Sequence, residues 1–488
     1  MKKHKYKNSG YSSGGASPSK NTLKEWTPRH YSAVSDLDTN LNILRNRSFD
    51  LAINSPIGAA AINTMLNGTI STGLKIFPTP DFKALKMSAD AVREWSRRTQ
   101  TLFNQWANSL DCDFNRRNNF FELQRIAFIS YLADGDCFCL FKRRKDSAYT
   151  LKLQLIEAQR VSNPLTNGAL INSVEMLKGN GRIVNGVEVD GSGRLTAIHI
   201  SNKIWNEPFT GTPELKWQRV KMFGENGFRN VLHICYDTRP DMFRGAPLLA
   251  PVIESLKQVA RYSDAELTAS IIKSFFALFF VQSNTDFNLN QILPQEEFDL
   301  KEYKLGAGTL NRLPVGVDVK SVESGNSQSN FAPYVDFFIK IIGSALRIPF
   351  EVLMANFQSS FSASRAALIE ADREFKNRRT SFVNDFCQPI YESWLLENIA
   401  RGIIDAPGFF DNPFIKNCWS TADWRVEVSP AIDPLKEISA AKLRIETGIS
   451  TREIEATRIG NDFWQVAEQL KMENELFQKK FDNPPYSD

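Results

Sequence analysis

From Gly245 to Val281 the chain reads GAPLLAPVIESLKQVARYSDAELTASIIKSFFALFFV, and no other stretch limits the possible folds so tightly. Leu249, Val252, Ile253, Leu256, Val259 and Ala260 recur at intervals of three and four, which gathers them on one helix face, and Leu267, Ile271, Phe275 and Leu278 extend the stripe. Pro247 and Pro251 lie near the start, where a helix tolerates proline, and nothing interrupts the pattern before the strand-like SFFALFFV. The spacing predicts one helix of about 25 to 30 residues, roughly 40 Å long, opening near Gly245. Such a helix is longer than most in globular domains and reads as a strut.

The 488 residues exceed what one simple core organises and predict two to four domains, not necessarily continuous in sequence. Lys and Arg number 59 against 55 Asp and Glu, a formal charge of +4. A protein that coats duplex needs a concentrated positive face, so contact with nucleic acid here is expected to be loose or local. Cys112, Cys137, Cys139, Cys235, Cys387 and Cys418 show no repeated CxxC, which predicts free thiols in a reducing cytoplasm. Residues 1–28 are rich in Lys, Gly and Ser and read as a disordered basic arm without an apolar leader. The longest apolar run, Ile271 to Val281, is broken by Lys273 and Ser274 and falls short of the ~20 residues that span a bilayer, so no membrane association is expected.

Along the chain, Asp36 to Asn67 shows two helices meeting at Asn54-Ser55-Pro56, the second closed by Gly68 and Gly73, before extended TGLKIFPTP. Helices follow at Ser88 to Asn108 and Phe120 to Leu132, the latter ending in the turn Ala133-Asp134-Gly135-Asp136. From Cys137 to about Asp241 the period falls to two, predicting a mostly antiparallel β region with a hairpin around GVEVDGSGR, Gly186 to Arg194. Beyond Val281 a polar, turn-rich excursion holds short strands at Gly308 to Leu313 and Val317 to Val322. Pro333 opens a helix, Tyr334 to Leu346, that stops before Ile348-Pro349. MANFQSSFSAS, Met354 to Ser364, reads as an exposed loop, and Arg365 to Asn398 as a helix kinked at Pro389. In the tail, Asp433-Pro434 caps one helix, Gly448 ends it, Ser450 with Glu453 forms a capping box for the next, and Asp462 caps a third.

Chemistry-bearing patterns are sparse. His4, His30, His199 and His233 offer little for a metal site or a nucleophile pair, and no GxxxxGK[ST] phosphate loop occurs. Cys137, Cys139 and Cys235 sit on predicted strands as small buried hydrophobes, with a metal site as the other reading. Asp134 with Asp136, or Asp111 with Asp113, supply the paired carboxylates a two-metal nuclease needs, although Asp-Gly turns are common in β proteins. Arg373, Lys376, Arg378 and Arg379 alternate with Glu370, Asp372 and Glu374, which suits a salt-bridge face between subunits (Glu370, Arg373, Lys376, Arg379) better than a DNA clamp. No cofactor and no catalytic residue is expected.

The run Val231 to Ala269 contains His233, Arg239-Pro240, Arg244-Gly245-Ala246-Pro247 and a helix ending in Tyr262-Ser263-Asp264-Ala265-Glu266. In order and spacing it resembles lambda-type portal proteins of tailed bacteriophages. Arg45, Arg47, Asn54-Ser55-Pro56 and Gly73 upstream, Trp106 with Asp111, Phe121 to Gln124, Gly135-Asp136 and Leu155-Ile156-Glu157 through Arg160 to Pro164 resemble the same family. So do Ser364 to Leu368, Arg379, Phe382, Pro389, Tyr391, Trp394-Leu395 and Gly402, then Asp433-Pro434 through Ala441, Gly448 and Thr451. The resemblance covers about residues 30 to 480, and Gln159 departs from it where an acidic residue is expected.

The resemblance implies an α+β portal fold assembled as a ring of twelve subunits at one capsid vertex, through which double-stranded DNA is packaged and ejected. It implies a wing (29–244, and 365–430), a two-helix stem (245–276 and 333–347), a small mixed clip (277–332), a tunnel loop (348–364) and a helical crown (431–488). Its partners would be the terminase large subunit, a head-completion or adaptor protein, and the major capsid or scaffold protein. Location would be the virion, with assembly in the host cytoplasm. Within that plan Asn356, Gln358, Ser359, Ser360 and Ser362 would touch DNA weakly, because uncharged groups contact phosphates without fixing a register. Leu249, Val252, Leu256, Val259, Phe338, Ile341 and Ile342 would pack stem against neighbouring stem. A metal-dependent DNA nuclease stands as the alternative of another class.

Overall fold

The structure, a computed structural model, describes residues 20–144, 147, 149–164, 174–177, 180–204, 214–225, 227–274, 278–282, 317–321, 331–358, 360–427 and 433–482. It is a mixed helix-and-strand fold. Helices α1 (Ala33–Asp38), α2 (Leu41–Asn54) and α3 (Pro56–Thr69) lead into strand β1 (Lys75–Pro78), then α4 (Ala89–Asn108) and α5 (Phe120–Asp134). The β region holds β2 (Asp136–Arg143), β3 (Leu151–Ile156), β4 (Val174–Met176), β5 (Arg182–Val184), β6 (Val187–Val189), β7 (Leu195–Ser201), β8 (Trp217–Lys221) and β9 (Val231–Cys235). Next come α6 (Ile253–Ser274), β10 (Leu278–Gln282), β11 (Val317–Ser321), α7 (Phe331–Leu346), α8 (Phe350–Leu353), α9 (Phe361–Phe382) and α10 (Gln388–Ala400). The chain closes with α11 (Pro413–Ser420), β12 (Ala422–Arg425), α12 (Pro434–Glu446), α13 (Arg452–Arg458) and α14 (Phe463–Asp482).

Local signals explain most helix ends. Ser55 caps α3 with its hydroxyl on the Gly58 N–H while Pro56 fills the first turn. Asn119 and Glu122 form a reciprocal capping box on α5, and Gly135, at φ 91°, ends that helix in the left-handed conformation glycine adopts without strain. Asp433 caps α12 and Asp462 caps α14, as the sequence predicts. Thr451, not Ser450, caps α13, one residue later than the pattern suggests. Gly68 lies inside α3 rather than closing it, because the Phe375 ring packs where a side chain would stand.

The β region is antiparallel throughout its ladders, in a three-stranded sheet β3-β2-β9 and a five-stranded sheet β4-β5-β6-β7-β8. The predicted hairpin is β6-β7. Strand β2 is covered on both faces, which is why CFCLF is apolar without alternation. Cys137, Cys139 and Phe141 join the main core with α3, α4, α5 and α10, while Phe138 and Leu140 face a second core under the five-stranded sheet.

The strut differs from its sequence reading. The helix begins at Ile253, preceded by a 3-10 turn at Ala250–Val252, so it spans about 33 Å. Residues 245–249 cannot be helical because their backbone is engaged elsewhere: Gly245 N–H donates to Asp136 and Leu248 N–H to Leu132 O at 2.8 Å. Strands β10 and β11 pair antiparallel, Leu278 opposite Ser321, while the strand expected at Gly308 to Leu313 and most of the 277–332 excursion lie outside the described residues, as does most of the 1–28 arm. Helix α7 returns along α6, with the Tyr262 and Tyr334 rings 4.2 Å apart.

Helices α9 and α10 form one rod joined by a π-helical turn at Val383–Cys387. Just before Pro389, where the sequence predicts a kink, the helix widens into this turn, which accommodates a ring that cannot donate back to the preceding turn. The loop before the rod is shorter than predicted: α9 starts at Phe361 with Ser360 as its cap, so Ser362 is helical.

Candidate functional site

The residues that carry the family pattern converge on one buried carboxylate. Asp136, at the first position of β2, is fully buried and receives Arg45 Nη2 at 2.7 Å, Arg244 Nε at 2.6 Å and Nη2 at 3.1 Å, His233 Nε2 at 3.1 Å and the Gly245 N–H at 3.3 Å. Arg45 also donates to Asp134 O at 2.8 Å. Arg244, 0% exposed, donates to Val161 O and Ala158 O, both at 2.8 Å, and to Asn185 O. The hub thus ties α2, the α5–β2 turn, β9, the second sheet and the lead into α6 at a single point.

Burial alone would raise the Asp136 pKa, but the Arg244 and Arg45 guanidiniums, with hydrogen bonds from His233 and Arg244, hold it well below the usual carboxylate range. Arg45 is itself lowered to about 10, first by burial and then by Arg244. Asp134 goes the other way, pushed up to about 7 by burial against the pull of Arg45, and its Oδ1 has no hydrogen-bond partner. Asp38 is raised to about 6 by burial, offset in part by the 2.7 Å hydrogen bond from Asn185. Gly135 and Gly245 touch backbone to backbone beside the hub: a Cβ on Gly245 would stand 1.9 Å from Gly135 O.

The acidic pairs read as nuclease candidates do structural work. The lone pairs of Asp136 are consumed by its donors, leaving none for a metal ion. Asp113 accepts the N–H groups of Asn115, Arg117 and Asn118, and Asp111 meets Lys152 and Arg116. Cys137 and Cys139 are buried and Cys235 is half-buried. Among the described residues no group of three His, Cys, Asp or Glu is placed to hold a metal ion. Nothing in the structure supports the nuclease reading.

The other predicted site residues separate. Asn356 and Gln358 are exposed in the short loop after α8, where Ala355 has φ 50°; Ser359 lies outside the described residues, Ser360 caps α9 and Ser362 is exposed on its first turn. Of the residues expected to pack stem on stem, Leu249, Val252, Leu256, Val259 and Ile342 are buried in this chain's own core. Phe338 is half-buried and Ile341 is exposed. Among the described residues of α6 and α7 the most exposed apolar side chains are Leu267, 62% exposed, and Phe337, 59% exposed. On α9, Glu370 pairs with Arg373 at 2.8 Å and Lys376 with Asp372 at 2.7 Å, while Arg379 donates to the carbonyls of Thr69 and Gly68 at the end of α3.

The sequence named Arg45 and Arg244 as fragments of a pattern, Asp136 also as half of an acidic pair and His233 also as one of four histidines, and did not place them together. The available signal was an acid opening an otherwise apolar strand, which must find buried cations. Gln159 is near Asn46, 3.4 Å away, so its departure from the family pattern touches a local hydrogen bond on the hub's rim.

The same positions lie within the part of the chain that known proteins share. The profile described as phage portal protein, lambda family, matches residues 19–379. Portal protein B of Escherichia phage lambda is 22% identical over 484 residues, covering 94% of this chain and 88% of that protein. The portal protein of Escherichia phage N15 is 23% identical over 501 residues, covering 98% and 92%. Among solved structures, a chain in the virion of a native gene transfer agent particle is similar at a TM-score of 0.46 and 12% identity, covering 89% of this chain and 94% of that one. The matched span takes in the helical pair, both sheets, the charged hub and the two antiparallel helices, and the chain belongs to the lambda family of phage portal proteins.

Proposed function

We propose that this chain is one subunit of a closed ring at a capsid vertex, the head-to-tail connector through which double-stranded DNA is packaged and later ejected. Helices α6 and α7 are the staves of the channel, the β10–β11 region the clip that meets the terminase large subunit and then a head-completion protein, and α12 to α14 the crown. The β sheets form the wing toward the major capsid or scaffold protein. The protein conducts DNA and performs no chemistry on it; it is assembled in the host cytoplasm and resides in the virion. Twelve is the ring number the family resemblance implies.

The observation that carries this reading, beside family membership, is apolar surface that one subunit does not cover. Helix α12 buries none of its residues, and Leu435 and Ile438 are 80% and 68% exposed. A helix of that length has little stability without a packed face, so a neighbouring copy is the natural cover. Leu267, Phe337 and Ile341 extend the same requirement to the staves. The loop with Asn356 and Gln358 offers uncharged contacts to a sliding duplex, since each firm phosphate contact adds to affinity and would impede movement.

Negative-stain electron microscopy and mass photometry of the purified chain test the proposal. Rings with a central hole are expected. Phe337→Asp should yield monomers that retain helical circular dichroism, whereas Val259→Asp, at a site 4% exposed, should unfold the subunit. A strict monomer at every concentration would refute the ring.

A further inference from the structure

Strand β2 ends in Lys142-Arg143 and Arg144 follows in line, its N–H donating to Thr150 O, so the pleat sends Arg143 to one side and Lys142 with Arg144 to the other. Arg143 is neutralised by Glu397, 2.6 Å away near the end of α10. On the opposite face Lys142 stands directly across from Lys152 of β3, a like-charge cross-strand pair that disfavours the sheet. The segment after Asp113 folds over this face, with Phe114 N–H donating to Leu153 O at 2.8 Å. Its ring lies under both Lys142 Nζ, at 5.9 Å, and the Arg144 guanidinium, at 5.4 Å.

Nearby carboxylates are already committed. Asp111 is shared between Lys152 at 3.3 Å and Arg116 at 2.9 Å, and Asp113, 2% exposed, serves backbone N–H groups of its own loop. Among the described residues no carboxylate forms an ion pair with Lys142 or Arg144. In a chain with a formal charge of only +4, two cations held over one aromatic ring form a concentrated anion-binding corner.

We propose that this corner docks an acidic polypeptide segment of another protein. Alternate residues of an extended chain lie about 7 Å apart, which lets two carboxylates meet Lys142 and Arg144 together. A duplex would need a longer row of cations, and here Asp111 interrupts it beside Lys152. The corner is also remote from the loop proposed to meet DNA: from Phe361 to Glu397 the α9–α10 rod extends roughly 50 Å. The inference does not depend on ring closure.

Fluorescence anisotropy on the full chain tests it, with a fluorescein-labelled poly-glutamate peptide and a labelled duplex as separate probes at about 50 mM salt, where surface charge is weakly screened. The double variant Lys142→Gln, Arg144→Gln should bind the peptide about tenfold more weakly and the duplex unchanged. Lys83→Gln, at an exposed position between β1 and α4, should alter neither. Equal peptide binding by variant and parent, no saturable peptide binding by the parent, or a loss confined to the duplex would overturn the proposal. Should the double variant misfold, Arg144→Gln alone, at an exposed position, carries the same expectation of weaker peptide binding. Micrographs of the variant separate failure here from failure of the ring.

Discussion

Replacing Asp136 by Asn removes one negative charge from a site where two guanidiniums, 2% and 0% exposed, depend on it. The amide keeps the shape but turns an NH2 group toward donors, so Arg45 and Arg244 lose their counter-ion without regaining water. Removing one partner of a buried ion pair costs about 3 to 5 kcal/mol, and ~4 is expected here because Arg244 retains its carbonyl acceptors. For a chain of 488 residues, with an unfolding entropy of about 2.1 cal/mol/K per residue, that corresponds to a fall in Tm of roughly 4 °C. Thermal and urea unfolding of the purified chain, followed by circular dichroism, measures it. The pH dependence supplies a second check. The folded-state pKa of Asp136 lies below its ordinary value of 3.8, so its contribution is present above that value and is lost as pH falls through the folded one. The gap between parent and Asp136→Asn should therefore be flat from pH 5 to 8 and narrow below about pH 4. A Tm change under about 2 °C, or a gap that persists undiminished at pH 3, would refute the reasoning.

Asp134 should behave in the opposite sense. Burial raises its pKa to about 7, so its ionised form is a cost that grows from pH 3.8 to 7 and levels off above; Asp134→Asn should gain little near pH 4 and roughly 4 kcal/mol at pH 8 by urea titration. Gly245→Ala places a Cβ 1.9 Å from Gly135 O, a backbone clash with no side chain to yield, and should lower stability by about 3 kcal/mol or more or leave the protein insoluble, read by unfolding midpoint and soluble yield.

Much of the fold was legible from short-range pattern. Ser55, Asp433 and Asp462 cap their helices because a cap depends only on its own side chain and N–H groups two or three residues on. The β region was readable by its period, and family membership by the order of Arg45, Gly135-Asp136, His233 and Arg244-Gly245. The start of α6 was misplaced because prolines at a helix opening look alike whether the preceding residues are helical or tied to another element. Leu132 O and Asp136 make that choice, and both lie more than a hundred residues upstream.

By itself, then, the sequence determined where helices and strands form, that charge is nearly balanced, and which family the chain resembles. Those properties rest on neighbours within a few residues or on sums over the chain. Tertiary structure alone decided which end of the strut's apolar stripe is spent on the subunit's own core and which stays open, since Leu256 and Leu267 are indistinguishable as leucines in one stripe. It also decided that Arg45, Asp136 and Arg244, separated by 91 and 108 residues, share one carboxylate. Buried charge is tolerable only when compensated in three dimensions, and no spacing along the chain encodes that meeting.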